Sequence, residues 1–127
     1  VYEIEKGMIR QFVRAIDDPN PLWQDEEYAS RYGGITAPPT FIPTIGFEQI
    51  QQVLAFLPFE TVLHGATELE CYHPVRVGDS VAVITEISSI RERQSQTGKM
   101  AFMTFDSTCK NQRQELVAKC RQMVIGY

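Results

Sequence analysis

Two histidines, three cysteines and one tryptophan are all that 127 residues contain of these types, and each scarcity excludes something. Two imidazoles leave little from which to build a metal centre. Cys71, Cys109 and Cys120 are odd in number and form no CxxC pair. Neither a disulfide framework nor a zinc site is expected, and a reducing, cytoplasmic setting fits. The chain also lacks internal repeats, low-complexity tracts, Pro/Ser-rich linkers and blocks of like charge. Its 12 Lys and Arg against 16 Asp and Glu give a formal charge of −4. That balance argues against general nucleic-acid binding, which needs a basic face to release counterions, although a local group of arginines could still hold an anion. No long apolar run is present: the stretch from Phe41 to Phe59 is broken by Pro43, Glu48 and three glutamines. A membrane span is therefore not expected. The opening VYEIEKGMIR lacks the basic-then-apolar layout of a secretory signal.

What is present reads as one domain over residues 1–127. Ile9, Phe12, Val13 and Ile16 recur at helical spacing, so residues 7–16 are expected to form a short amphipathic helix stopped by Pro19. Asp25 is placed to cap the next helix, with Glu26 and Glu27 in its first turn. Tyr28, Ala29 and Tyr32 would form its inner stripe, and Gly33-Gly34 its end. The segment TFIPTIGFEQIQQVLAFLP is the most helical: Thr40 as cap, Pro43 in the first turn, and Ile42, Ile45, Ile50, Val53, Leu54 and Leu57 along a buried face until Pro58. Four stretches then change to partial period-two alternation rich in β-branched and aromatic residues, separated by PVRVG, SQTG and KNQRQ. Helices first and a meander-like antiparallel sheet afterwards predict an α+β domain in which one long helix covers the sheet.

Three motifs sharpen this. DDPNPLW followed by DEEYA, APPTF at the start of the long helix, and LHGATELECYHPVRVGDSV together resemble the hot-dog fold. Within it they resemble the MaoC-like enoyl-thioester hydratases and dehydratases, and more narrowly the FAS1-like dehydratase (MaoC N-terminal type) domains. The resemblance covers nearly the whole chain. It implies an antiparallel sheet wrapped around a long central helix, a lyase of fatty acid metabolism that adds or removes water at an acyl thioester, and pairing with a second hot-dog domain. The substrate would be an acyl-CoA or acyl-carrier-protein thioester, with no cofactor and no metal, and with neither nucleic acid nor membrane as partner.

Carried over residue by residue, the family's acid falls on Asp18 and its amide on Asn20. Its catalytic histidine falls on Trp23, whose indole donates one hydrogen bond but neither accepts nor relays a proton. Its oxyanion glycine falls on Pro39, which has no N–H. Asp18 is thus the one catalytic candidate, with Asn20, Trp23, Thr40, Phe41 and His64 as substrate-binding candidates. Plainer readings stand beside these. Asp18 before a proline is a common turn former, Asn20 a tie between turns, Trp23 a packing residue, His64 a satisfied core histidine and His73 a surface one. The arginines Arg76, Arg91 and Arg93 read first as a solvated strand edge. The leading expectation is a catalytically incomplete, substrate-binding half of a dehydratase dimer. The alternatives are a self-sufficient homodimeric enoyl-CoA hydratase, an acyl-CoA thioesterase and an acyl-CoA-binding hot-dog protein.

Overall fold

The computed structural model describes residues 1–96 and 98–127, so Thr97, within the expected SQTG break, lies outside the described residues. A two-residue strand, β1 (Tyr2–Glu3), leads into helix α1 (Lys6–Ala15). Two short helices follow, α2 (Pro21–Gln24) and α3 (Glu26–Ser30). A 3-10 helix over Pro39–Thr44 precedes helix α4 (Phe47–Ala55). The remaining strands are β2 (Val62–Cys71), β3 (Ser80–Ser95), β4 (Gly98–Lys110) and β5 (Leu116–Gly126).

Local chemistry accounts for the N-terminal elements. α1 turns Ile9 and Val13 inward and Arg10 and Arg14 outward. The Asp25 carboxylate accepts from the Glu27 and Tyr28 N–H groups, at 3.0 and 3.1 Å, as expected of an N-cap. The stripe expected on α3 is corrected: Ala29 is buried, but Tyr28 and Tyr32 are exposed and rest against each other, ring centroids 5.6 Å apart. Five residues make too short a helix to bury a full stripe.

The long helix expected from Thr40 to Leu57 is two pieces. Pro43 has no N–H and crowds the preceding turn, so the backbone there takes the tighter 3-10 form. Ile45 is extended, and Gly46 then takes φ +74° to start α4 in a new direction. A side chain is disfavoured at that φ, and a Cβ there would also lie 3.2 Å from the Tyr2 ring. Thr40 does not cap: it is exposed, and Pro38 occupies the cap position of the 3-10 helix without a side-chain bond. The Pro43 carbonyl, left without a helical partner, accepts from the buried Gln122 amide at 3.3 Å.

Among the described residues five strands form one antiparallel sheet in the order β1-β3-β4-β5-β2. β3, β4 and β5 form the expected meander, but β2 is corrected from it: it lies beside β5 instead of β3. The link from β2 to β3 carries Pro74 and cannot form a tight hairpin. It pairs instead with the segment before the 3-10 helix, where the Ala37 N–H donates to the Val75 carbonyl at 2.7 Å and the Val77 N–H to the Ile35 carbonyl at 3.1 Å. Buried positions alternate along β4 (Ala101, Met103, Phe105, Ser107, Cys109) and β5 (Cys120, Gln122, Val124), so one sheet face holds the core. Ile50 of α4 packs there on Met103, Phe105 and Val124, while Ile4, Ile9, Val13, Val75 and Val81 fill a second cluster under α1. Each such side chain fully buried contributes about 1.5–3 kcal/mol.

The last turn of the sheet is tight. The Phe59 ring lies over Gly126, so a Cβ there would stand 2.6 Å from its Cδ2. Gly126→Ala is expected to cost about 1–3 kcal/mol in urea unfolding with an unchanged m-value. The loss should shrink in a Phe59→Leu background; an equal loss in both would show that the ring is not the obstacle.

Candidate functional site

The turn after α1 is built by its own side chains. Asp17 takes φ +53°, and the Asp18 N–H reaches back to the Val13 carbonyl at 3.1 Å. Prolines at 19 and 21 then hold the chain extended around Asn20. The Asn20 side-chain oxygen accepts from the Leu22 N–H at 3.0 Å and so caps α2, with Pro21 in the first position, where no amide hydrogen is required.

Asp18 is half-buried, and a donor meets each of its carboxylate oxygens. The Asn20 N–H lies 3.0 Å from Oδ1, and the Trp23 indole N–H 3.0 Å from Oδ2. The Gln24 amide donates to the Asp18 carbonyl at 2.5 Å. The turn-former reading of Asp18 is therefore visible in the geometry, and Trp23 adds a bond that the sequence alone did not disclose.

Trp23 is half-buried against the α1 cluster and also walls a cleft of about 260 Å3. Leu22, Pro39, Cys71, Tyr72 and His73 line it as well, giving a mostly apolar surface with a few polar groups, the usual make-up of a small-molecule site. Sequence reasoning missed Cys71 and Tyr72; it placed His73 on the surface, where the structure has it. His73 is half-exposed on the cleft wall, its Nε2 3.8 Å from a Glu115 carboxylate oxygen. Glu115 is itself held by Arg113 at 2.7 Å and Asn111 at 3.0 Å, and these donors keep its carboxyl below the ordinary carboxylate range. The available signal was the CYHP run ahead of PVRVG, whose proline precludes a hairpin.

The structure thus brings Asp18, Asn20 and Trp23 together, with Pro39 on the same cleft as Trp23. The other candidates lie elsewhere. Thr40 is exposed on the 3-10 helix. Phe41 is buried, edge-on to Phe12 with centroids 5.5 Å apart. His64 is exposed on β2, its Nε2 2.8 Å from the Thr67 hydroxyl, which corrects the core-histidine reading. β2 is an edge strand, and its side chains are exposed along most of its length.

A family model described as "FAS1-like, dehydratase domain region" matches residues 1–120. The chain belongs to this family. The FAS1-like domain is 38% identical over 96 residues to a UPF0336 protein of Streptomyces avermitilis, covering 71% of this chain and 64% of that one. It thus spans less than two thirds of the length of that relative. It is 28% identical over 139 aligned positions to a probable enoyl-CoA hydratase alpha subunit of Thermomonospora curvata, covering 94% of this chain and 44% of that one. Among solved structures, the HadBC (3R-hydroxyacyl-ACP dehydratase) complex of Mycobacterium tuberculosis superposes with a TM-score of 0.83 at 21% identity over 98% of this chain and 89% of that one. A MaoC-like dehydratase of Rhodospirillum rubrum gives 0.69 at 28% identity, over 99% and 86%. The domain accordingly has the hot-dog fold, a curled antiparallel sheet with helices, and is of the MaoC-like dehydratase family. No helix among its described residues is long and apolar enough to cross a membrane.

Two measurements check this geometry. Trp23→Phe keeps the ring but deletes the donor to Asp18 and is expected to cost about 1 kcal/mol by urea unfolding, the lower end for a charged acceptor because Asp18 keeps access to water. Burial pushes the Cys109 thiol up to about 11, with the neighbouring Cys120 adding to it, and burial raises Cys71 and Cys120 as well. Of the three, only Cys71 is exposed. Iodoacetamide at about pH 8 should therefore alkylate Cys71 in the folded chain and reach Cys109 and Cys120 only in denaturant; mass spectrometry showing Cys109 modified first would contradict the packing of β4.

Proposed function

We propose that this domain is the substrate-holding half of a paired hot-dog hydratase or dehydratase acting on an acyl thioester, with the second half supplying proton transfer. The observation that carries the proposal is the Trp23–Asp18 hydrogen bond. Hydration of an enoyl thioester needs a base to take a proton from water as its oxygen bonds to the β carbon. It also needs an acid to deliver a proton to the α carbon, and donors for the negative charge that builds on the thioester oxygen. In the family resemblance an imidazole stands beside the acid and passes that proton. Here an indole stands there, a donor only, and it engages one Asp18 oxygen without being able to hand on a proton.

Pro38 and Pro39 remove two amide donors at the head of the 3-10 helix, where the resemblance puts oxyanion stabilisation. Acid–base positioning contributes about 10²–10⁴-fold and an oxyanion donor about 10²–10³-fold, so losing both leaves little turnover. What the chain retains is a mostly apolar cleft, and its residues would bind and orient the acyl arm rather than react with it.

Pairing is supported independently. Phe56 is 91% exposed, and Leu63, Ile87 and Ile90 are also uncovered in the single chain, apolar surface that a second domain would cover. The relatives point the same way: one is named as an alpha subunit and one solved neighbour is a two-component complex.

The purified chain alone is expected to show no hydration of a short enoyl-CoA above background. Turnover should appear on adding a second hot-dog chain with an intact Asp-x-Asn-Pro-x-His turn, and Asp18→Asn should leave that turnover within about twofold. Full activity of the chain by itself, or its abolition by Asp18→Asn, would overturn the proposal.

A further inference from the structure

A second cleft opens against Trp23. It encloses about 100 Å3 and is walled by Lys6, Arg10, Arg14, Trp23, Gln24 and Ile35. The three cations recur every fourth residue of α1, which stacks them in one stripe along the helix. Ile9 and Val13 are buried on the adjoining face of the helix, so α1 cannot rotate to disperse them.

Stacked like charges are unfavourable, and little offsets them here. Glu26 pairs with Lys6, and its carboxyl is held below the ordinary range by that lysine first and by Arg10 more weakly. Asp18 spends its carboxylate oxygens on Asn20 and Trp23. Among the described residues no ion pair engages Arg10 or Arg14. A protein of net charge −4 thus carries three cations along a single cleft, with Glu26 ion-paired to Lys6 and Asp18 reaching the cleft only through its bond to Trp23.

The partition between the two clefts is thin. Leu22 and Thr36 line the apolar cleft, while Gln24, on the other side of Trp23 in sequence, and Ile35, which precedes Thr36, line the cationic one. Trp23 belongs to both. One ligand could therefore place an anionic group among the cations and a neutral arm on the apolar side. About 100 Å3 is room enough for a phosphate group.

We propose that Lys6, Arg10 and Arg14 hold the phosphate of a 4′-phosphopantetheine thioester whose neutral arm crosses Trp23 into the apolar cleft. This rests on the reading that the domain holds an acyl thioester, and adds where the carrier's phosphate sits. Arginine suits the role because its planar fork meets two phosphate oxygens at once. Coenzyme A and an acyl-carrier protein both present this group.

Trp23 is the only tryptophan in the chain and forms a wall of both clefts, so its fluorescence reports occupancy directly. The full chain is titrated with a butyryl thioester of pantetheine, of 4′-phosphopantetheine, of coenzyme A and of a holo-carrier protein. The phosphopantetheine ester is expected to bind roughly 10- to 100-fold tighter than the pantetheine ester. In the exposed double variant Arg10→Ala/Arg14→Ala that advantage should fall to about threefold or less, with Arg10→Lys/Arg14→Lys intermediate. Whichever of the coenzyme A and carrier-protein esters binds tighter and weakens in the alanine variant identifies the source. Equal binding of the pantetheine and phosphopantetheine esters, or an advantage untouched by the alanine variant, overturns the phosphate site while leaving thioester binding intact. Failure of every ester to bind overturns the thioester reading and this proposal with it.

Discussion

The hydrogen bond from the Trp23 indole to Asp18 organises everything proposed for this domain. It ties the C-terminal end of α1 to α2 across a turn that two prolines already hold extended, and it fixes the indole in one orientation. The ring so held lines both the apolar cleft and the cationic one beside α1. The same bond gives a donor to a carboxylate that the family resemblance reads as catalytic. A donor that cannot give up and recover its proton near neutral pH makes a good strut and a poor relay.

The sheet explains why such a strut has value without chemistry of its own. Its core face is filled by Ile50, Met103, Phe105 and Val124, but coverage stops along β3, where Ile87 and Ile90 stay open to solvent. β2 runs along the edge of the sheet, one side paired with β5. An edge strand beside uncovered apolar side chains is an incomplete surface, and a second hot-dog domain would complete it. In such a pair the two copies of the turn need not both be reactive: one can position the acyl arm while the other moves protons.

Much of the architecture was legible because it is local. The spacing of Ile9, Phe12 and Val13 placed α1 within one residue of its observed bounds, and Asp25 was identified as a cap from its neighbours. The turn holding Asp18, Asn20 and Trp23 spans six residues, so its members could hardly fail to meet. Other features escaped. β1 is two residues long and shows no period. The break at Gly46 follows from a φ that no apolar pattern encodes. His64 and Phe41 suited a binding role by position, yet one faces solvent from an edge strand and the other packs on Phe12.

The amino-acid order by itself determined α1, the cap at Asp25 and the run of strands after Pro58, the proline-locked turn, and the exchange of an imidazole for an indole beside a carboxylate. These depend on backbone propensities and on side-chain chemistry within a few residues. Only the tertiary structure decided that β2 crosses to β5, that Cys71, Tyr72 and His73 meet Trp23 across a cleft, and that Lys6, Arg10 and Arg14 line a second cleft with the same ring. The reason is distance along the chain. Contacts between segments fifty residues apart are selected by which buried surfaces fit once the sheet has closed over α4, and no local pattern carries that choice.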